Sequence, residues 1–158
     1  MMDLGRLLAE LQRAKVEFII VGGVAANVHG SVRVTVDFDV VYRRTPENMT
    51  RLVEALASHE PYLRGAPAGL PFRFDLRTLS HGLNFTLSTA LGDIDLLGEI
   101  TGGGGYDRLV SRSTEVELFG LPCLCLDLDK LIDVKRAAGR PKDLEAIAEL
   151  EKLRTMKG

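Results

Sequence analysis

The chain is poor in the features that mark secreted, membrane-bound or zinc-stapled proteins. Cysteine occurs twice in 158 residues, at Cys123 and Cys125. An i, i+2 pair on a strand points to one face without easy disulfide geometry, so the two read as small buried hydrophobes. The three histidines, His29, His59 and His81, match none of the paired spacings of a zinc site. The longest nearly uncharged apolar stretch, Phe18 to Ala26, is roughly half the length a membrane-spanning helix needs, so no membrane role is expected. The N-terminal segment carries Asp3, Arg6 and Glu10 in a helical pattern and lacks the basic start and apolar core of an export signal, so the expected location is the cytoplasm. The glycine run Thr101 to Gly105 is followed by no Lys-Ser/Thr pair. It reads as a plain loop rather than a phosphate-cradling P-loop.

What is present fits one domain over residues 1–158, with 46% apolar content and no internal repeat. Net charge is −2, but residues 130–158 carry eight Lys/Arg against five Asp/Glu. That basic end suits either a polyanion or an ordinary solvated helical face.

Periodicity gives the element order. Leu4, Leu7, Leu8 and Leu11 recur at helical spacing to near Lys15, and Val16 to Val21 reads as a strand stopped by Gly22-Gly23. Val24 to His29 reads as a short helix closed by Gly30. Val32 to Tyr42 alternates as a strand, with Val34, Val36, Phe38 and Val40 on one face and Arg33, Thr35, Asp37, Asp39 and Val41 on the other. Thr45-Pro46 caps a helix carrying Met49, Leu52, Val53 and Leu56. Residues 61–82 are broken by prolines and glycines, and Phe72 to Leu79 gives no assignable pattern. A hairpin follows, Asn84 to Ser88 and Asp93 to Leu97. Then come a short helix at Tyr106 to Val110, strands at Glu115 to Phe119 and Cys123 to Leu126, and a helix from the Asp127 cap to Ala138. Gly139 stops that helix, and a last one starts after Pro141 with Leu144, Ile147, Leu150 and Leu153 as its stripe.

The chemistry concentrates in the acidic strand. An Asp-x-Asp on one strand face sets two carboxylates about 6.5–7 Å apart at the backbone, close enough to converge on a hard cation. Upstream, Gly22-Gly23 stands between a strand and a helix, where backbone N–H groups can receive phosphate oxygens. Downstream, Asp95 lies among apolar neighbours in Gly92-Asp93-Ile94-Asp95-Leu96-Leu97, with Asp93 on the same face as its rival. A carboxylate there is costly to bury unless a metal or donor compensates it.

Through Gly22-Gly23, Arg33-Val34-Thr35-Val36-Asp37-Phe38-Asp39 and Ile94-Asp95-Leu96-Leu97, the chain resembles the polymerase-β-like nucleotidyltransferase superfamily over most of its length. The segment Lys135-Arg136-Ala137-Ala138-Gly139-Arg140-Pro141-Lys142-Asp143-Leu144 makes it similar to the bacterial nucleotidyltransferases of abortive-infection and toxin–antitoxin systems. The resemblance implies an α/β (α+β) fold, a mixed sheet flanked by helices. It also implies magnesium, with manganese as a substitute, at a two-metal site of Asp37, Asp39 and Asp95, and a nucleoside triphosphate whose β- and γ-phosphates touch Gly22 and Gly23. The wider superfamily usually has Gly-Ser there, so a serine hydroxyl is missing.

Arg33 and Thr35 are candidates for contacting phosphate or orienting a carboxylate, or they are surface positions with an ion pair. Lys135 and Lys142 are candidate triphosphate or RNA contacts near a helix junction, where cations also suit the helix dipole. Asp143 is assigned to that dipole. The implied reaction transfers a nucleoside monophosphate to an acceptor hydroxyl on RNA or protein, more readily than on a small molecule, with a partner protein of a two-component system as a further expectation. The alternative is a non-catalytic nucleotide-binding or antitoxin-like module of the same fold.

Overall fold

Runs of β-branched and aromatic residues build the centre of the sheet, because their side chains fill both of its faces. In the computed structural model, which describes residues 2–157, helix α1 (Leu4–Arg13) leads into β1 (Phe18–Val21), α2 (Gly22–Val28) and β2 (Asp37–Tyr42). Then follow α3 (Pro46–Leu56), β3 (Tyr62–Leu63), α4 (Leu76–His81), β4 (Asn84–Thr89) and β5 (Gly92–Leu97). The chain continues through α5 (Tyr106–Leu109), β6 (Ser113–Leu118), β7 (Leu121–Leu126), α6 (Leu128–Ala138) and α7 (Pro141–Lys157).

The seven strands form one sheet in the order β3-β4-β5-β2-β1-β7-β6. β2 runs parallel to β5 and antiparallel to β1, β1 runs parallel to β7, and the outer pairings β3–β4, β4–β5 and β6–β7 are antiparallel. The mixed sheet flanked by helices is the architecture expected from the sequence. Helices α1, α3 and α4 pack in succession, as do α2, α6 and α7. Both groups cover a core that includes Leu7, Leu8 and Leu11 of α1, Ile19 and Ile20 of β1, Phe38 and Val40 of β2 and Ile132 of α6, all fully buried.

The start of β2 differs from the alternation. Residues 32–36 are not strand, and Val32, Val34 and Val36 are 92%, 93% and 72% exposed. The cause is the lack of a ladder partner. β1 ends at Val21, paired with Asp39, and β5 begins at the level of Asp37. The backbone of this segment bonds to side chains instead: Asn27 Nδ2 donates to the carbonyls of Ser31 and Arg33, and Ser31 Oγ accepts from the Arg33 N–H.

Two smaller corrections concern helix ends. Gly22 and Gly23 are the first turn of α2 rather than a turn before it. In α7 the inward position of the first turn is Asp143, 2% exposed, and Leu144 is 70% exposed. The face that packs therefore runs Asp143, Ile147, Leu150, a spacing of four and three. The caps at Thr45 and Gly139 are as expected: Thr45 Oγ1 accepts from the Asn48 N–H, and Gly139 takes φ +64°. Asp127 occupies the N-cap position of α6, but its carboxylate accepts from the Thr114 hydroxyl at 2.5 Å.

Asn48 ties α3 to the sheet. It is 1% exposed, donates to the carbonyls of Glu17 and Arg43 at 2.9 and 2.8 Å, and accepts from the Glu17 N–H at 2.6 Å. Asn48→Ala leaves these buried partners unsatisfied, so a loss of about 2–4 kcal/mol is expected in denaturant unfolding. A loss within experimental error would show that the three groups find other partners.

Candidate metal and nucleotide site

The acidic strand is held in place by its apolar alternates. Phe38 and Val40 are fully buried, which turns Asp37 and Asp39 to the opposite face of β2. On β5, Ile94 and Leu96 are likewise fully buried, and the parallel register sets Asp37 beside Asp93 and Asp39 beside Asp95. Two strands thus present a two-by-two array of carboxylates. One oxygen each of Asp37, Asp39 and Asp95 lies within 4.8 Å of the others. Asp93 stands outside that cluster, its Oδ2 3.2 Å from Arg64 Nε.

The electrostatics of the array are unfavourable without a cation. Burial, reinforced by the neighbouring charges of Asp95 and Asp37, pushes the Asp39 carboxyl up to about 7. Asp37 is raised by the same causes, burial first and Asp95 second. Asp39 Oδ1 is buried and accepts no hydrogen bond. An orphaned acceptor beside two further carboxylates is the donor set of a hard divalent cation, so these residues fit a metal ion.

A pH effect follows. A carboxyl raised in the folded state binds its proton more tightly there than in the unfolded chain. Its stabilising contribution is complete below about 4 and lost as pH rises through about 7. The metal-free protein is therefore expected to lose up to a few kcal/mol between pH 5 and pH 8. Thermal melts in a chelator check this; a rise in stability over that range would contradict it.

Glycine is required beside the cluster. Gly22 sits at φ +66°, and a Cβ there would lie 2.2 Å from Asp39 Oδ2; at Gly23 a Cβ would lie 2.7 Å from the Thr35 hydroxyl. Both glycines occupy the first turn of α2, whose N-cap, Val21, has no side-chain oxygen to offer the free N–H groups. Thr35 Oγ1 donates to the Asp37 carbonyl at 3.1 Å. A hydroxyl thus stands next to Gly23, where the Gly-Gly sequence had suggested none.

The remaining candidates divide. Arg33 turns away from the carboxylates to pair with Glu149 at 2.7 Å and Glu145 at 3.8 Å, the ion-pair alternative of the sequence reading. Lys135 lines a cavity of about 150 Å³ together with Gly23, Arg33, Thr35 and Glu149, and its ammonium is 3.7 Å from Asp143. Asp143 is not a dipole partner alone: it is buried and accepts from Arg140 Nε at 2.8 Å, which holds its carboxyl below the usual range. Lys142 is exposed on the first turn of α7.

Sequence reasoning missed Arg64. It follows the two-residue β3, and its backbone N–H donates to the Thr86 carbonyl of β4 at 3.0 Å. Its guanidinium faces three aspartates: Nη2 is 2.7 Å from Asp95, Nε 3.2 Å from Asp93 and Nη1 3.7 Å from Asp37. The only available signal was a lone arginine beside a short Tyr-Leu pair in a proline- and glycine-rich stretch.

Among the described residues no helix is long and apolar enough to cross a membrane. No protein-family model matches the chain, and no curated protein does. Among solved structures it is similar to a Thermotoga maritima protein described as a "putative nucleotidyltransferase", with 14% identity and a TM-score of 0.51 over 99% of this chain and 94% of the other. At that identity the likeness establishes architecture, and the chain shares the fold of that protein.

Proposed function

We propose that the chain is a metal-dependent nucleotidyltransferase, its unit spanning residues 1–158, that transfers a nucleoside monophosphate from a triphosphate to an acceptor hydroxyl. The observation that carries this reading is the convergence of Asp37, Asp39 and Asp95 within 4.8 Å beside Gly22, with Asp39 Oδ1 left without a partner.

Asp37 and Asp39 would hold magnesium, or manganese, at a two-metal site that Asp95 completes. Such ions neutralise triphosphate charge and make the attacking hydroxyl more acidic. Gly22 and Gly23 admit the phosphates close to the backbone, because no Cβ stands between α2 and the carboxylates. Thr35 offers a hydroxyl at the same place. Thr35 lines two depressions, one with Gly23 and Lys135, the other with Val36, Thr89, Gly92 and Asp93. A donor on the first side and an acceptor on the second is the arrangement a two-substrate transfer requires. Lys142, exposed and outside the cluster, is assigned to a macromolecular acceptor, RNA or protein, rather than to the triphosphate. A role beside a partner protein in a toxin–antitoxin or phage-defence system, in the cytoplasm, belongs to the same proposal.

The second reading, a non-catalytic nucleotide-binding or antitoxin-like module, draws on Arg64, whose guanidinium already supplies positive charge to the carboxylates. Incubation with magnesium and each α-labelled triphosphate, together with total RNA or host lysate, separates the two. Label on RNA or protein with wild type, and none with Asp37→Ala/Asp39→Ala, supports the transferase. Nucleotide binding by calorimetry without any labelled product across all acceptor pools favours the module.

A further inference from the structure

Arg64 is held less well than a structural arginine. A guanidinium is fixed most firmly where it pairs one carboxylate through two parallel N–H bonds. Here it spreads over three aspartates and hydrogen-bonds only one, Asp95; its Nη2 also donates to the Leu87 carbonyl at 3.0 Å. Nε is buried without a hydrogen bond although Asp93 is 3.2 Å away, and Nη1 stands 3.7 Å from Asp37.

The charges point the same way. Four formally negative carboxylates share one positive group, which pairs with Asp37, Asp93 and Asp95 but not with Asp39. The guanidinium meets part of the demand of the array and leaves the Asp39 oxygen unpartnered. Two divalent cations would more than neutralise Asp37, Asp39 and Asp95 and leave Arg64 with Asp93 alone as its counter-charge. Arg64 also sits on the least anchored part of the sheet, just after the two-residue edge strand.

We propose that Arg64 is a displaceable counter-ion, which steadies the carboxylates in the metal-free protein and competes with divalent cation for Asp37 and Asp95. Asp93 then acts as an anchor for Arg64 rather than as a metal ligand. The proposal rests on the reading of Asp37, Asp39 and Asp95 as a metal site.

The test is manganese binding by the full chain, followed by calorimetry and by the paramagnetic resonance signal of the free ion, for wild type, Arg64→Gln and Asp93→Asn. Loss of the competing charge is expected to tighten manganese binding of Arg64→Gln by about tenfold. Asp93→Asn is expected to weaken it by a smaller factor, because the array loses one negative charge and Arg64, without its anchor, is left to Asp37 and Asp95. The metal-free melting temperature of Arg64→Gln is expected to fall and to recover on adding manganese. Unchanged or weaker binding by Arg64→Gln, or tighter binding by Asp93→Asn, overturns the proposal while leaving the metal site standing. No binding by either wild type or Arg64→Gln overturns the metal site as well. Should Arg64→Gln fail to fold, Arg64→Met, also neutral and of similar length, takes its place with the same expected tightening, and equal or weaker binding overturns the proposal.

Discussion

Asp39→Asn is expected to cut nucleotidyl transfer by about a thousandfold or more while raising the melting temperature of the metal-free protein at pH 8. The two effects have one origin. Asparagine has the shape of a protonated aspartic acid, the form that burial and the neighbouring Asp95 and Asp37 favour in the metal-free chain. It therefore relieves repulsion that the wild type suffers above pH 7, a gain of about a few degrees. The same neutral amide removes a carboxylate from the proposed metal site, so added magnesium should stabilise wild type and leave the variant unmoved. The measurement is a pair of thermal melts, with chelator and with magnesium, beside the label assay. A variant that melts lower than wild type in chelator at pH 8 would show that the protein already compensates the Asp39 charge without a metal.

Gly22→Ala is expected to abolish manganese binding and to destabilise the fold by about 2–4 kcal/mol. Two physical effects add. The residue is held at φ +66°, and the new methyl group would stand 2.2 Å from Asp39 Oδ2, so the carboxylate must swing out of the cluster or α2 must shift off β2. Gly120→Ala is the matched control, since it has φ +75° with nothing within 4 Å of the added Cβ. It pays the conformational term alone, about 1 kcal/mol, and should leave manganese binding unchanged. Equal binding losses in the two variants would place the effect in backbone strain rather than at Asp39.

The parts of the molecule that were legible in the sequence are those whose signals are local. The β4–β5 hairpin, the Thr45-Pro46 start of α3 and the Gly139 stop after α6 each depend on residues within a few positions of one another. The Asp37-Asp39 pair was legible for a related reason, since i and i+2 share one strand face; the third member was narrowed only to Asp95 or its rival Asp93, which share a face of one short strand.

What was not legible depends on partners distant in the chain. The alternation over residues 32–36 has strand character, yet among the described residues no strand stands opposite it, so it stays outside the sheet with its valines exposed. Leu144 matched a helical stripe, but the rotation of α7 against α6 is set by Asp143 meeting Arg140 and Lys135. Arg64 was invisible because β3 has only two residues, too few to carry a period, and its importance comes entirely from carboxylates about thirty positions away on either side.

The division of charge across the sheet bears on how such a protein changes over generations. The acids are carried by β2 and β5, adjacent interior strands whose alternate residues are locked in the core, so a substitution or a one-residue slip there disturbs the whole fold. The base that answers them is carried at the edge, beside loops that tolerate insertion and drift. A lineage can thus retune how strongly the acids depend on an added ion by altering a peripheral segment, with the interior left intact.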